Sequence, residues 1–305
     1  MSAGVTSLRK LITSNALSMF GLVTVVFFVI LTVCQAVSSG RILPYNAYQI
    51  SSQANVSPSL AHWFGTDLLG RDMLSWIITA LPTDIGIPVI TVAVSAAIGI
   101  VLGTLAAFFR GWLDEVIMRL TDMFMAFPQM IMSLAIAATL GPSLVNVTFS
   151  LIVVWWPPYV RLVRGAVLQV AAEDFVSISK ALNSSFFYIV SRDAIPNVLP
   201  SVLVYATTDV GTALLTLSTL GFLNVGIPPA SPELGTMVSN VGYNFYLYPY
   251  QVIIPAVFVM VIVAGFSFLG EGIRESLDVR LRPHILMRNK PVKEHETEGQ
   301  KSGPI

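Results

Sequence analysis

Charge is what this sequence has least of. Only 11% of its 305 residues are Asp, Glu, Lys or Arg, against about 25% in soluble domains. That supply cannot cover a water-facing surface, so the chain uses lipid as solvent over much of its area. Cysteine is nearly missing as well. Cys34 is the single thiol, which excludes an internal disulfide, and no Cys/His spacing forms a metal-ligand set. His62, His284 and His295 are the only histidines and lie far apart in sequence. Formal net charge is zero, so no basic surface points to a nucleic-acid partner. Also absent are a Gly-rich phosphate loop, a GxSxG elbow, an HExxH helix and a close pair of membrane-embedded carboxylates. No catalytic residues, metal or cofactor are expected.

Long apolar runs are what the chain has in place of charge. Hydrophobic residues make up 54% of it, with a mean hydropathy of +0.75. A span needs about 20 apolar residues, and 17–37 is long enough to be a first transmembrane helix rather than a cleaved leader. A polar stretch follows, and FGTDLLGRDMLSWIITA (64–80) inside it is expected to lie on the membrane surface. Ile85–Phe109 makes span two, where Gly86, Gly99 and Gly103 offer close helix contacts. Residues 123–160 carry no charge, too long a run for one crossing, and Gly141-Pro142-Ser143 divides it. This predicts span three over Val116–Leu140 and span four over Leu144–Val163. Span five covers Leu199–Leu220 and span six Gln251–Gly270. Between them sit a Gly/Pro-rich break (221–229) and a belt of Tyr243, Phe245, Tyr246, Tyr248 and Tyr250.

Six spans place both termini on one side. Of the 17 Lys and Arg residues, all but Arg41 and Arg71 fall on that side, and the positive-inside rule makes it the cytoplasm. The expected fold class is therefore all-α, a multi-pass protein of the cell membrane. Its organisation is a cytoplasmic N-terminus (1–16), the first span (17–37), an extracytoplasmic segment with a surface helix (38–84), a five-helix core (85–275) and a cytoplasmic tail (276–305). Membrane lipid is its solvent and partner.

Two features carry functional weight. Asp209 falls mid-span, where a charge costs roughly 2.5–3.5 kcal/mol to insert; it is a candidate for lining a path or for pairing with a polar group on a neighbouring helix. The other is the polar interruption 164–198 within the core, flanked by Arg161 and Arg164. Phe175, Ile178 and Leu182 recur there at helical spacing, with Glu173, Asp174, Lys180 and Arg192 around them. The pattern predicts a short amphipathic helix able to dock into a partner.

Six stretches, in order, resemble the permease subunits of ABC importers, specifically the C-type permease of the dipeptide, oligopeptide and nickel systems. They are 64–75 (FGTDLLGRDMLS), 118–128 (MRLTDMFMAFP), 156–168 (WPPYVRLVRGAVL), 195–200 (IPNVLP), 217–237 (LSTLGFLNVGIPPASPELGTM) and 270–283 (GEGIRESLDVRLRP). The resemblance implies a type I importer fold and a non-catalytic subunit. It also implies a homologous second permease, two ATPase subunits and an extracytoplasmic substrate-binding protein as partners. Residues 164–198 then become the coupling loop, with Glu173, Asp174, Lys180 and Arg192 as polar rim contacts and Phe175, Ile178 and Leu182 as buried anchors. The chain departs from the family where its Glu-Ala-Ala triplet reads Ser177-Ile178-Ser179 and its glycine reads Asn183. It departs again at Leu214, usually glutamate, and at Leu234, usually tryptophan. Peptide import is the implied activity. Oligosaccharide or nickel import by the same machinery, or a gradient-driven carrier or channel, are the alternatives.

Overall fold

Eight α-helices carry the structure, a computed structural model that describes residues 16–38, 40, 43–173, 185 and 188–288. They are α1 (Ala16–Ser38), α2 (Met73–Phe109), α3 (Gly111–Met125), α4 (Gln129–Leu140), α5 (Leu144–Ala171), α6 (Ile195–Phe222), α7 (Leu234–Val241) and α8 (Tyr250–Arg288). A π-helical turn, Ile189–Ala194, leads into α6, and a 3-10 turn, Gly242–Tyr246, follows α7. Five helices are long and apolar enough to cross a membrane, and α3 with α4 makes a sixth, broken crossing. The chain is thus an all-α, multi-pass protein.

The third span is where the structure departs most from the sequence pattern. Apolar continuity predicted one helix over Val116–Leu140, but α3 and α4 meet at 85°. Pro128 is the cause: it has no N–H to return to the Phe124 carbonyl, and its ring drives Phe127 out of helical backbone. At 1.5 Å per residue, α3 spans about 22 Å and α4 about 18 Å, each short of about 30 Å of hydrocarbon. Both pieces are needed to return the chain from the end of α2 at Arg110 to the start of α5.

Span two begins earlier than its apolar run, at Met73 rather than Ile85. Residues 73–80 of the stretch expected to lie on the membrane surface form the entry to α2, with Met73, Trp76, Ile77, Ala80 and Leu81 buried in the core. The preceding loop is built to start that helix. Asp67 accepts from the Leu69 and Arg71 N–H groups, Gly70 turns with φ +74°, and Asp72 caps α2 by accepting from Ser75 N at 2.9 Å. Gln251, at the head of α8, donates to the Thr66 carbonyl at 2.8 Å and so ties the loop down. At about 55 Å, α2 exceeds the hydrocarbon thickness, so its first turns stand beyond the apolar slab and need no unbroken apolar run.

Helix contacts follow membrane rather than aqueous logic. On α1 the buried positions include Ser18, Gly21 and Thr24, while Phe20, Val23, Phe27 and Ile30 face outward. Small residues let backbones approach where lipid offers no hydrophobic drive between helices. The same rule joins α2 to α5. A Cβ on Gly99 would lie 2.2 Å from Tyr159 Cβ, and one on Gly103 would lie 2.7 Å from the Val160 carbonyl oxygen. Gly86 has open space around it instead. The Arg164 end of this pair is pinned to α3 by a bidentate ion pair, Arg164 Nε and Nη2 donating to Asp114 at 2.6 and 2.7 Å.

Candidate functional site

Asp209 stands at the third turn of α6 after Pro200, half-buried and facing α5. Two side chains one turn apart on α5 reach it. Trp155 Nε1 donates to Asp209 Oδ2 at 2.9 Å and Tyr159 Oη donates to the same oxygen at 2.8 Å. Both donors are buried and each needs an acceptor away from water, so α5 and α6 satisfy one another's polar atoms at membrane depth. Tyr205, one turn before Asp209, sets its ring edge-to-face with Tyr159 at 5.1 Å. The expectation of a pairing with polar groups on a neighbouring helix is met, and the partners are Trp155 and Tyr159.

A cavity of about 910 Å³ opens beside this carboxyl. Asn197, Ser201, Tyr205, Thr208, Asp209 and Thr212 line it from α6, and Glu271 with Arg274 stands on its α8 wall. These rim residues form an exposed pair at 3.9 Å. The cavity therefore runs from Thr212, deep in the span, towards the ends of α6 and α8 on the lysine- and arginine-rich side. Its polar lining runs along α6 and ends at the charged pair on α8, with Leu162, Val204 and Leu277 as apolar wall, which suits a passing solute that is partly polar. Leu214 and Leu234, the two departures from the family pattern, are both fully buried away from it.

A second carboxyl cluster went unread in the sequence. Asp84 and Glu233 are both fully buried, and they come within coulombic reach of each other. This corrects the expectation that no two embedded carboxyls lie close. Glu233 caps α7 with both oxygens, accepting from Gly235 N at 2.8 Å and Thr236 N at 2.7 Å. Asp84 Oδ2 accepts from Leu234 N at 3.2 Å. A Cβ on Gly221 would meet Glu233 Oε2 at 1.9 Å, so that glycine makes room for the carboxyl. Burial pushes Glu233 above the usual carboxylate range, against the two backbone N–H groups that pull it down. The cluster knots α2, α6 and α7 together and lies outside the cavity.

Of the residues assigned to the coupling loop, Glu173 is exposed just past the end of α5. Arg192 is exposed in the π-helical turn, its guanidinium 6.0 Å from the Tyr188 ring centre. Asp174, Phe175, Ile178, Lys180, Leu182 and Asn183 lie outside the described residues. Among the described residues no group of three or more His, Cys, Asp or Glu could hold a metal ion.

Known proteins share this architecture's sequence. Residues 99–283 match the family described as binding-protein-dependent transport system inner membrane component. The chain is 34% identical over 261 residues to the glutathione transport system permease protein GsiD of Escherichia coli O6:K15:H31 (strain 536 / UPEC), covering 85% of this chain and 86% of that protein. GsiD of Shigella boydii serotype 4 (strain Sb227) is similar to the same extent, and GsiD of Escherichia coli O1:K1 / APEC is 33% identical over the same span. Permeases of this kind are non-catalytic, with ATP hydrolysis on separate subunits. With the family match covering more than half of the chain and the GsiD similarity most of it, this protein belongs to the inner-membrane permease subunits of ABC importers, in the peptide/nickel family.

Proposed function

We propose that this permease forms half of the path by which an ATP-driven importer takes up di- or oligopeptides. Asp209 lines that path, and the segment holding Glu173, Asp174, Phe175, Ile178, Lys180, Leu182, Asn183 and Arg192 couples it to ATPase subunits. The observation that carries the reading is the cavity. It runs from Thr212 past Asp209 within the span and ends beside Asn197 and Arg274, a few residues from the π-helical turn that leaves the coupling segment. Movement of that segment would be transmitted directly to the helix forming the polar wall, a rigid-body route between two packings. Family membership implies ATPase and substrate-binding-protein partners; the proposal adds a homologous second permease and a pair of ATPases. Similarity to permeases named for glutathione transport favours a peptide-class solute. Oligosaccharide or nickel import by the same machinery is the alternative, distinguished by which solute stimulates ATP hydrolysis.

The test is reconstitution with copurified ATPases and binding protein, followed by ATP-driven uptake of a labelled dipeptide. Leu182→Asp is expected to abolish substrate-stimulated hydrolysis while the permease still inserts. Stimulation at the wild-type level in that variant would rule out the docking role.

A further inference from the structure

Asp209 carries a charge whose two hydrogen-bond donors are neutral. Trp155 Nε1 and Tyr159 Oη both donate to Oδ2. Among the described residues no Lys, Arg or His comes within ion-pair distance of it. Asp209 lines the cavity, and both its hydrogen bonds end on Oδ2, none among the described residues on Oδ1. Three cations near these span ends pair with other carboxylates: Arg164 with Asp114, Arg161 with Asp122, and Arg274, on the rim of the same cavity, with Glu271. Two donors fixed on one oxygen lock the carboxyl's orientation, so its second oxygen is held rather than free to rotate. Beside it on the cavity wall stand the Tyr205 ring and the Thr208 and Thr212 hydroxyls. A half-dry carboxylate, an aromatic ring and hydroxyl acceptors are what an alkylammonium group recognises: charge, a π face and oxygen partners for its N–H groups.

We infer that Asp209, with Tyr205, Thr208 and Thr212, forms a subsite for a cationic amine on the passing solute. This rests on the reading of the cavity as the import path, and it names what the path selects. A peptide's amino terminus is such a group. Because the carboxylate is already held by α5 and α6, binding needs no reorganisation beyond displacing cavity water. A lysine or arginine of the second permease could supply the same chemistry, and the experiment separates the two sources.

The assembled, nucleotide-free transporter is used with Val204→Cys, which lines the same cavity outside the subsite, as a reporter in a Cys34→Ser background, following maleimide labelling of this chain. The probes are n-butylammonium and its neutral counterpart n-butanol. Butylammonium is expected to protect the thiol at concentrations about tenfold lower than butanol, the scale of one charge-assisted hydrogen bond. Asp209→Asn, which keeps an oxygen for Trp155 and Tyr159, is expected to erase that preference. Tyr159→Phe, which keeps the charge, retains it. Equal protection by both probes, or a preference that survives Asp209→Asn, overturns the inference. So does the absence of any preference together with reduced recovery of the second permease from Asp209→Asn, which would assign the cation to that subunit. ATP-driven uptake of dialanine is measured in parallel. If the amine preference holds but dialanine is not imported, the subsite stands and the peptide reading falls.

Discussion

Replacing Glu233 offers a sharp test of how α7 is held. Its carboxyl accepts from two buried backbone N–H groups at 2.8 and 2.7 Å, and Gly221 leaves a space shaped to it. Glu233→Ala strands both N–H groups without water, at about 1–3 kcal/mol each. Removing a dehydrated carboxyl from beside Asp84 takes back part of that cost, leaving a net loss of about 2–4 kcal/mol. Glu233→Gln keeps the shape and one acceptor, and its amide can donate to Asp84 Oδ1, which has no hydrogen-bond partner. Its loss is confined to about 1 kcal/mol. Amide hydrogen exchange over Leu234–Val241 reads this directly, because local opening sets the rate. Ala is expected to speed exchange about 30- to 1000-fold and Gln about fivefold. Equal rates for the two variants, or wild-type rates for Ala, would refute the capping argument.

Two more outcomes follow from the same geometry. Gly99→Leu would force Tyr159 away from α2 and thereby loosen the Asp209 hydrogen bonds; it is expected to cost several kcal/mol of thermal stability, whereas Gly86→Ala, facing open space, should leave the melting temperature within a degree or two. The Glu233 cluster should also respond to pH. A carboxyl raised by burial favours the protonated folded state, so its contribution is complete at acid pH and lost as pH climbs past the ordinary carboxylate range. Exchange over α7, corrected for intrinsic rates, should therefore accelerate as pH rises, and Glu233→Gln should flatten that dependence.

Much of the membrane plan was legible because lipid imposes a simple demand: about 20 apolar residues per crossing and cations on the inner side. Where a helix outgrows the bilayer the demand lapses, which is why Met73–Thr83 did not announce itself as part of α2. The α3–α4 break was readable in principle, since Pro128 follows Phe127 inside the charge-free run, but Gly141-Pro142-Ser143 was the stronger punctuation. Asp209 declared itself as the one carboxylate deep in a span. Its partners Trp155 and Tyr159 carried a fainter signal: two side chains at i and i+4 whose polar tips must find an acceptor when buried. Asp84 and Glu233 could not be paired from sequence. They are far apart along the chain, and what joins them is the start of α7, which packs on α6 and α8 and brings its Leu234 N–H to Asp84.

The central claim is that the Asp209 cavity is the import path and that ATP switches its exposure. Ser201→Cys in a Cys34→Ser background, in the assembled transporter, tests this most directly. A membrane-impermeant maleimide added from the cytoplasmic side should label it in the nucleotide-free state, and labelling should fall when ATP is trapped on the ATPases. Labelling that is indifferent to nucleotide would contradict the account.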